Sequence, residues 1–371
     1  MSREAVDPGG IRRIVTRAGP SIVAFVLAAC GTGTPSSSTP PAATPGNSLA
    51  PSAEASVEAS VSPIVSAAAH RLPTGRVVFD RLAGSPEGDF LAASVMGIDG
   101  TSTSLQLLVS NMGFTGTWSP DGARLLITAF SGTDLIVGTL DLPTTTWSEI
   151  RPDGMVGELE CTDWAPDATH VICARGGPDP KHDGLYSLDV ATGKPTRLTT
   201  SAYHHVVGTS GECGGGEGRA VYSGDGSRFA YVQQKCGTGA DPSSDEQGAI
   251  AVASADGSGA QVIVPFGGVR THPGGEIAWS PTDDLIAFGT QDGKLSLIAG
   301  DGTGLRTIDL PQPGFVYGPT WSPDGKWILV TVNSQATGHD DLFVVSPDGS
   351  TMSQITDTAE VEAFSDWGSA P

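Results

Sequence analysis

One phrase recurs six times along this chain: an apolar strand, an aromatic residue and a tight turn. It reads TWSPDG at Trp118, DWAPDA at Trp164, VYSGDG at Tyr222, AWSPTD at Trp279, TWSPDG at Trp321 and SDWGS at Trp367. Successive aromatics lie 46, 58, 57, 42 and 46 residues apart, a period that matches one four-stranded propeller blade rather than a helical repeat. After Trp321 come the strand signals Trp327 to Val332, Asp341 to Val345 and Met352 to Ile355, the last two separated by a Ser-Pro-Asp-Gly turn. After Trp279 the same order appears at Leu285 to Phe288, Lys294 to Ile298 and Leu305 to Ile308, with Asp-Gly pairs marking hairpins. Second strands such as Leu125 to Phe130 are nearly unbroken apolar runs, as a sheet covered on both faces requires. The expected fold is therefore all-β: a six-bladed propeller of four-stranded blades.

The ends of the repeat predict how the ring closes. Arg76 to Asp80, Phe90 to Ile98 and Leu105 to Val109 supply three strands before the first aromatic phrase, and Ala363 to Trp367 is a first strand with nothing after it. Pairing Ala363 to Trp367 with Arg76 to Asp80 completes the sixth blade and removes two open sheet edges.

The repeated aromatics are read as wedges between blades, and the Asp and Gly of each turn as structural. Asp bonds the local backbone and Gly takes positive φ at little cost. A calcium reading of these acidic turns lacks the alternating ligands of a twelve-residue loop. The W-S-P-D-G phrase followed by an apolar strand resembles the TolB-type propeller repeat, related to the propellers of prolyl oligopeptidases. The resemblance covers roughly residues 75 to 368 and implies a propeller that serves an envelope complex. TolB proteins also carry a small α/β domain before the propeller; here a low-complexity segment stands in that place.

Upstream, Arg12, Arg13 and Arg17 precede the apolar run Ile22 to Ala29, which ends in Leu27-Ala28-Ala29-Cys30. Basic region, apolar core and small-residue site in that order make a secretion signal, and Leu-Ala-Ala-Cys resembles the bacterial lipobox. Residues 1–29 are thus expected to be removed and Cys30 to carry the lipid. A run this short does not span a bilayer core of about 30 Å. Residues 30–71 are dominated by Ser, Thr, Pro and Ala and are expected to form a disordered tether, leaving residues 72–371 as the propeller.

Beyond Cys30 the chain holds 16 Lys and Arg against 39 Asp and Glu, a net charge of −23. Nucleic acid is excluded as a partner on that ground, because phosphate binding needs Lys and Arg clusters. Four further cysteines admit three pairings. The repeat selects Cys161 with Cys173 and Cys213 with Cys236, since each pair straddles the turn after an aromatic phrase. No Cys-x-x-Cys spacing supports zinc, and neither a metal nor another cofactor is expected.

No nucleophile elbow is present, because Gly208-Thr209-Ser210-Gly211-Glu212 fails at its last position. H-E-x-x-H and P-loop patterns are likewise missing. The irregular connections entering each first strand gather on the face opposite the W-S-P-D-G turns. They are expected to bring Glu158, Glu160, Tyr203, His204, His205, Arg270, His272, Tyr317 and Glu362 around the channel mouth. The expected protein is a monomeric, lipid-anchored extracytoplasmic propeller. It would bind an envelope protein or a cell-wall glycan without catalysis. A lyase or hydrolase acting on a saccharide or peptide is the alternative.

The export reading has a direct check. Intact mass of the mature protein should show a chain beginning at a lipidated Cys30, and Cys30→Ser should abolish partition into detergent; a product retaining Met1 would refute cleavage.

Overall fold

The computed structural model describes residues 75–369, apart from 84–89, 98–113, 132–133, 145, 153–157, 177–178, 270–275, 311–313, 335–338 and 358–360. The signal region, Cys30, the tether and the strand expected at Leu105 to Val109 lie outside the described residues. Among the described residues twenty-five strands follow one another. The first pair is β1 (Arg76–Ala83) and β2 (Phe90–Gly97). Then come β3 (Phe114–Trp118), β4 (Arg124–Ser131), β5 (Asp134–Asp141) and β6 (Thr146–Ile150) as one sheet. The next sheet is β7 (Glu158–Trp164), β8 (His170–Gly176), β9 (Gly184–Asp189) and β10 (Pro195–Arg197). A small hairpin of β11 (Val206–Val207) and β12 (Glu212–Cys213) leads into β13 (Gly216–Tyr222), β14 (Arg228–Lys235), β15 (Gln247–Ser254) and β16 (Gln261–Val269). Two more sheets comprise β17 (Ile277–Trp279), β18 (Leu285–Gly289), β19 (Leu295–Ala299) and β20 (Arg306–Ile308), then β21 (Gly314–Trp321), β22 (Ile328–Ser334), β23 (Asp340–Val345) and β24 (Met352–Gln354). The last strand is β25 (Val361–Gly368). Among the described residues the only helical elements are two 3₁₀ turns, Pro180–His182 and Pro242–Asp245.

The fold is an all-β propeller with five four-stranded blades, which corrects the expected count of six. The sixth sheet holds three described strands in the order β2-β1-β25. It joins the two ends of the ring as the sequence implied: Val77 lies opposite Trp367 and Val78 opposite Asp366. Each apolar cluster spans two neighbouring sheets. Trp164 packs with Leu126 and Val137 of the preceding blade, and Trp367 packs with Leu329 and Val344.

The turns after Trp118, Tyr222 and Trp321 are built by their own side chains. Ser119 Oγ donates to Asp121 Oδ1 at 2.5 Å, the same carboxylate accepts from the Ala123 N–H at 3.0 Å, and Ser119 Oγ accepts from the Arg124 N–H at 2.9 Å. Ser223 with Asp225 and Ser322 with Asp324 repeat the arrangement. The glycine of the turn is required twice over. Gly122 and Gly325 sit at φ 68° and 67°, where a side chain is strained, and each backs onto a neighbouring turn: an added Cβ would stand 3.2 Å from the Ser369 carbonyl oxygen at Gly122 and far closer to Thr282 at Gly325.

Both disulfides pair as the repeat indicated. Cys161 faces Cys173 across β7 and β8, and Cys213 on β12 joins Cys236 just beyond β14. In the chain-entropy picture, loops of 12 and 23 residues correspond to about 3 kcal/mol each.

Deleting residues 361–371 removes the strand that pairs with β1 together with buried Trp367. Such a truncation should unfold at a markedly lower temperature than the intact chain, and Trp367→Ala alone should cost about 3–5 kcal/mol. An unchanged melting temperature for the truncation would refute closure through β25.

Candidate functional site

The six strands that carry the aromatic phrases, β3, β7, β13, β17, β21 and β25, surround a central cavity of 380 Å³. Their aromatics are among its lining residues. Trp118, Trp164, Tyr222, Trp279, Trp321 and Trp367 are all at least nine-tenths buried, filling the wedges between blades. The indole N–H of Trp164 donates to the Thr117 carbonyl of the preceding blade at 3.2 Å, and that of Trp321 to the Ala278 carbonyl at 3.1 Å.

Residues immediately before the aromatics form a collar around the cavity: Thr117, Asp163, Val221, Ala278, Thr320 and Asp366. Its two carboxylates are held in equivalent ways. Asp163 accepts from the Trp164 N–H through Oδ1 and from the Tyr222 N–H of the next blade through Oδ2, both at 2.8 Å. Asp366 accepts from the Trp118 N–H at 2.7 Å through Oδ2 and from Thr320 Oγ1 at 2.8 Å through Oδ1. Both lie deep in the ring, yet they line its cavity. Burial, opposed by the backbone N–H groups and reinforced by the charge of Asp366, pushes Asp163 up to about 7; burial raises Asp366 as well.

Four of the inner strands leave regular pairing just ahead of the aromatic. The breaks fall between Cys161 and Asp163, Gly218 and Val221, Tyr317 and Thr320, and, opposite β1, in the stretch from Ala363 to Asp366. Bulges re-aim side chains, and these put Thr162, Arg219 and Ser365 on the cavity wall. Arg219 adopts φ 49°, a left-handed conformation that costs a non-glycine residue about 1–2 kcal/mol. Its Nε lies 3.6 Å from Glu276 Oε1.

Of the nine residues expected at the channel mouth, Glu160 lines the cavity. Tyr317 on β21 and Glu362 on β25 are buried within inner strands, and Glu158 begins β7. Tyr203, His204 and His205 occupy the connection that leads into the β11–β12 hairpin. There Tyr203 meets Phe266 edge-on at 5.2 Å, His204 Nδ1 lies 3.1 Å from Asp183 Oδ2, and His205 Nε2 lies 3.4 Å from Glu212 Oε2. Arg270 and His272 lie outside the described residues. Sequence reasoning passed over Asp163, Asp366, Arg219, Glu276 and Ser365. The signal for two of them was available: an Asp directly before Trp occurs in two of the six phrases. Among the described residues no group of three or more His, Cys, Asp or Glu side chains is gathered closely enough to hold a metal ion, and no helix is long and apolar enough to cross a membrane.

The collar carboxylates make stability depend on pH in a defined direction. A carboxyl raised from its ordinary 3.8 to about 7 in the fold binds more protons folded than unfolded between those values. Its contribution is therefore present below pH 4 and is lost as pH rises toward 7. The turn carboxylates Asp225 and Asp348, held near 2 by hydroxyl and N–H donors, act with opposite sign and in a lower window, between about pH 4 and 2. Unfolding titrations should show stability falling from pH 4 to 7, and Asp163→Asn should flatten that slope. An unaltered slope would show that Asp163 ionises normally.

No family model matches the chain. It is 35% identical over 79 residues to the Tol-Pal system protein TolB of Syntrophus aciditrophicus, a stretch covering 20% of this chain and 17% of that protein. The chain spans less than a third of the length of the curated relatives it matches. Among solved structures, TolB from Acinetobacter baumannii superimposes with a TM-score of 0.57 at 16% identity, covering 80% of this chain and 67% of that one. A putative TolB from Agrobacterium tumefaciens gives 0.52 at 14% identity, covering 80% and 100%. Repeat, sheet order and these likenesses agree that the chain carries a TolB-like β-propeller.

Proposed function

We propose that this protein is a membrane-anchored extracytoplasmic lipoprotein whose propeller is a non-catalytic binding or scaffold module for an envelope protein or a cell-wall glycan. In this reading residues 1–29 direct export, Cys30 carries the lipid, residues 30–71 are the tether, and residues 72–371 form the propeller. The observation that carries the binding role is the rigid ring itself. It holds an open cavity of 380 Å³, within the range of about 300–1,000 Å³ seen for ligand sites. Elsewhere on the ring, the irregular connection of Tyr203, His204 and His205 is pinned by the Cys213–Cys236 bridge and the contact of His204 with Asp183. Loops fixed on a rigid scaffold are where recognition residues concentrate. The likeness to TolB, a component by name of the Tol-Pal system, supports an envelope partner.

Cross-linking of the mature, full-length protein in its native envelope should capture a protein or glycan. With that ligand in hand, His204→Ala combined with His272→Ala should weaken capture at least about tenfold, while Asp121→Asn on the turn face should leave it unchanged. The reverse pattern would place recognition on the turn side of the ring.

A further inference from the structure

The collar of the channel is divided by chemistry. On one side stand Asp163, Thr117, Asp366 and Thr320; on the other, Val221 and Ala278 occupy the equivalent places, with Ile277 beside them. Acids dominate the cavity as a whole: Glu160, Asp163, Glu276 and Asp366 face Arg219 alone, and Arg219 is already paired with Glu276. Four polar atoms of the lining residues have no partner, two of them the indole N–H groups of Trp118 and Trp367. Ser365 Oγ, on a residue only 9% exposed, and Glu276 Oε2 are buried at the wall without a hydrogen bond. The wall thus carries carboxylates in excess of cations and a strip of apolar surface opposite the two collar carboxylates.

We propose that the channel binds a primary ammonium group on an alkyl stem, carried either by a free diamine or by the lysine side chain of a partner polypeptide. The inference rests on the reading of the propeller as a binding module. An ammonium is all donor, with three N–H bonds and no acceptor, which matches a wall where four carboxylates face one arginine. Its methylene stem packs on apolar surface while the head stays with charge, which matches the collar's division into Val221 and Ala278 against Asp163 and Asp366. A calcium ion instead needs about 6–8 oxygens gathered around one point, and the described acids are spread around the ring. A guanidinium seeks a carboxylate free to accept it in bidentate fashion; here the collar carboxylates direct their oxygens at backbone N–H groups and Thr320. Bound cation favours the ionised form of both Asp163 and Asp366, so binding near neutral pH is coupled to proton release.

Isothermal titration of the full chain with 1,5-diaminopentane and with Nα-acetyl-lysine methylamide tests this, using two buffers of different ionisation enthalpy. One-to-one binding with proton release near pH 6.5 is expected, with no binding of the mono- or diacetylated diamine. Asp366→Asn and, independently, Glu276→Gln should each weaken it at least about tenfold, in variants shown by their melting curves to be folded. Tighter binding of the lysine derivative assigns the group to a polypeptide, and tighter binding of the diamine assigns it to a free amine. Failure of both amines to bind the folded chain, equal binding of the acetylated form, or binding of calcium chloride alone with no competition from amines would overturn the proposal. Capture of one envelope partner by wild type and Asp366→Asn alike, without any amine binding, would overturn it while leaving the binding-module reading intact.

Discussion

Every blade is fastened to the next through the aromatic that ends its inner strand. A four-stranded antiparallel sheet with apolar residues on both faces is unstable alone, because both of those faces would meet water. Here each face is covered by the adjacent sheet, and the aromatic sets the distance between them. Three arginines complete the fastening. Arg76, Arg124 and Arg228, each opening a second strand, lie 4.4, 4.6 and 4.9 Å above Trp118, Trp164 and Trp279 of the following blade. The same side chains donate onward to Gly122, Ala168 and Asp284 of that blade. A cation over an indole face contributes about 0.5–2 kcal/mol, and the hydrogen bond fixes its direction. One break in this ring would expose two apolar sheet faces at once, which is why the pairing of β25 with β1 matters more than its length suggests.

The same constraint creates the channel. Aromatics drawn outward into the wedges leave the preceding residues pointing toward the hole, and the bulges ahead of them turn further polar groups inward. Two carboxylates placed there are held by backbone N–H groups of neighbouring blades, so they serve the ring as inter-blade links. Burial acts against the ionisation of both, and the charge of Asp366 adds to it at Asp163. The interior is thus well built as structure and electrostatically unbalanced, a combination that favours positive charge.

Legibility in the sequence followed chain locality. The strands, the Ser-Asp-Gly turns and the two disulfides involve residues close together in sequence or in register across a single hairpin, so spacing was enough to read them. Cys161 and Cys173 face each other because β7 and β8 form one hairpin. The candidate site was less legible. Of the nine residues chosen from irregular connections, Glu160 reached the cavity wall, whereas Tyr317 and Glu362 turned out to belong to buried inner strands. Connection and strand are hard to separate where the inner strand runs on past the apolar core, as β21 and β25 do.

What the amino-acid sequence determined alone was the repeat: which residues wedge between blades, which form turns, and that the last strand must find the first. Those facts depend on periodic apolar burial and on turn chemistry within a few residues. Tertiary structure alone decided what faces the channel. Arg219 enters the cavity through a left-handed bulge that no spacing announces, and Asp163 and Asp366 become one electrostatic unit only because ring closure brings together blades 203 positions apart in the chain. Long-range charge coupling is a property of the closed ring, set by distance through space and by the loss of water around each group.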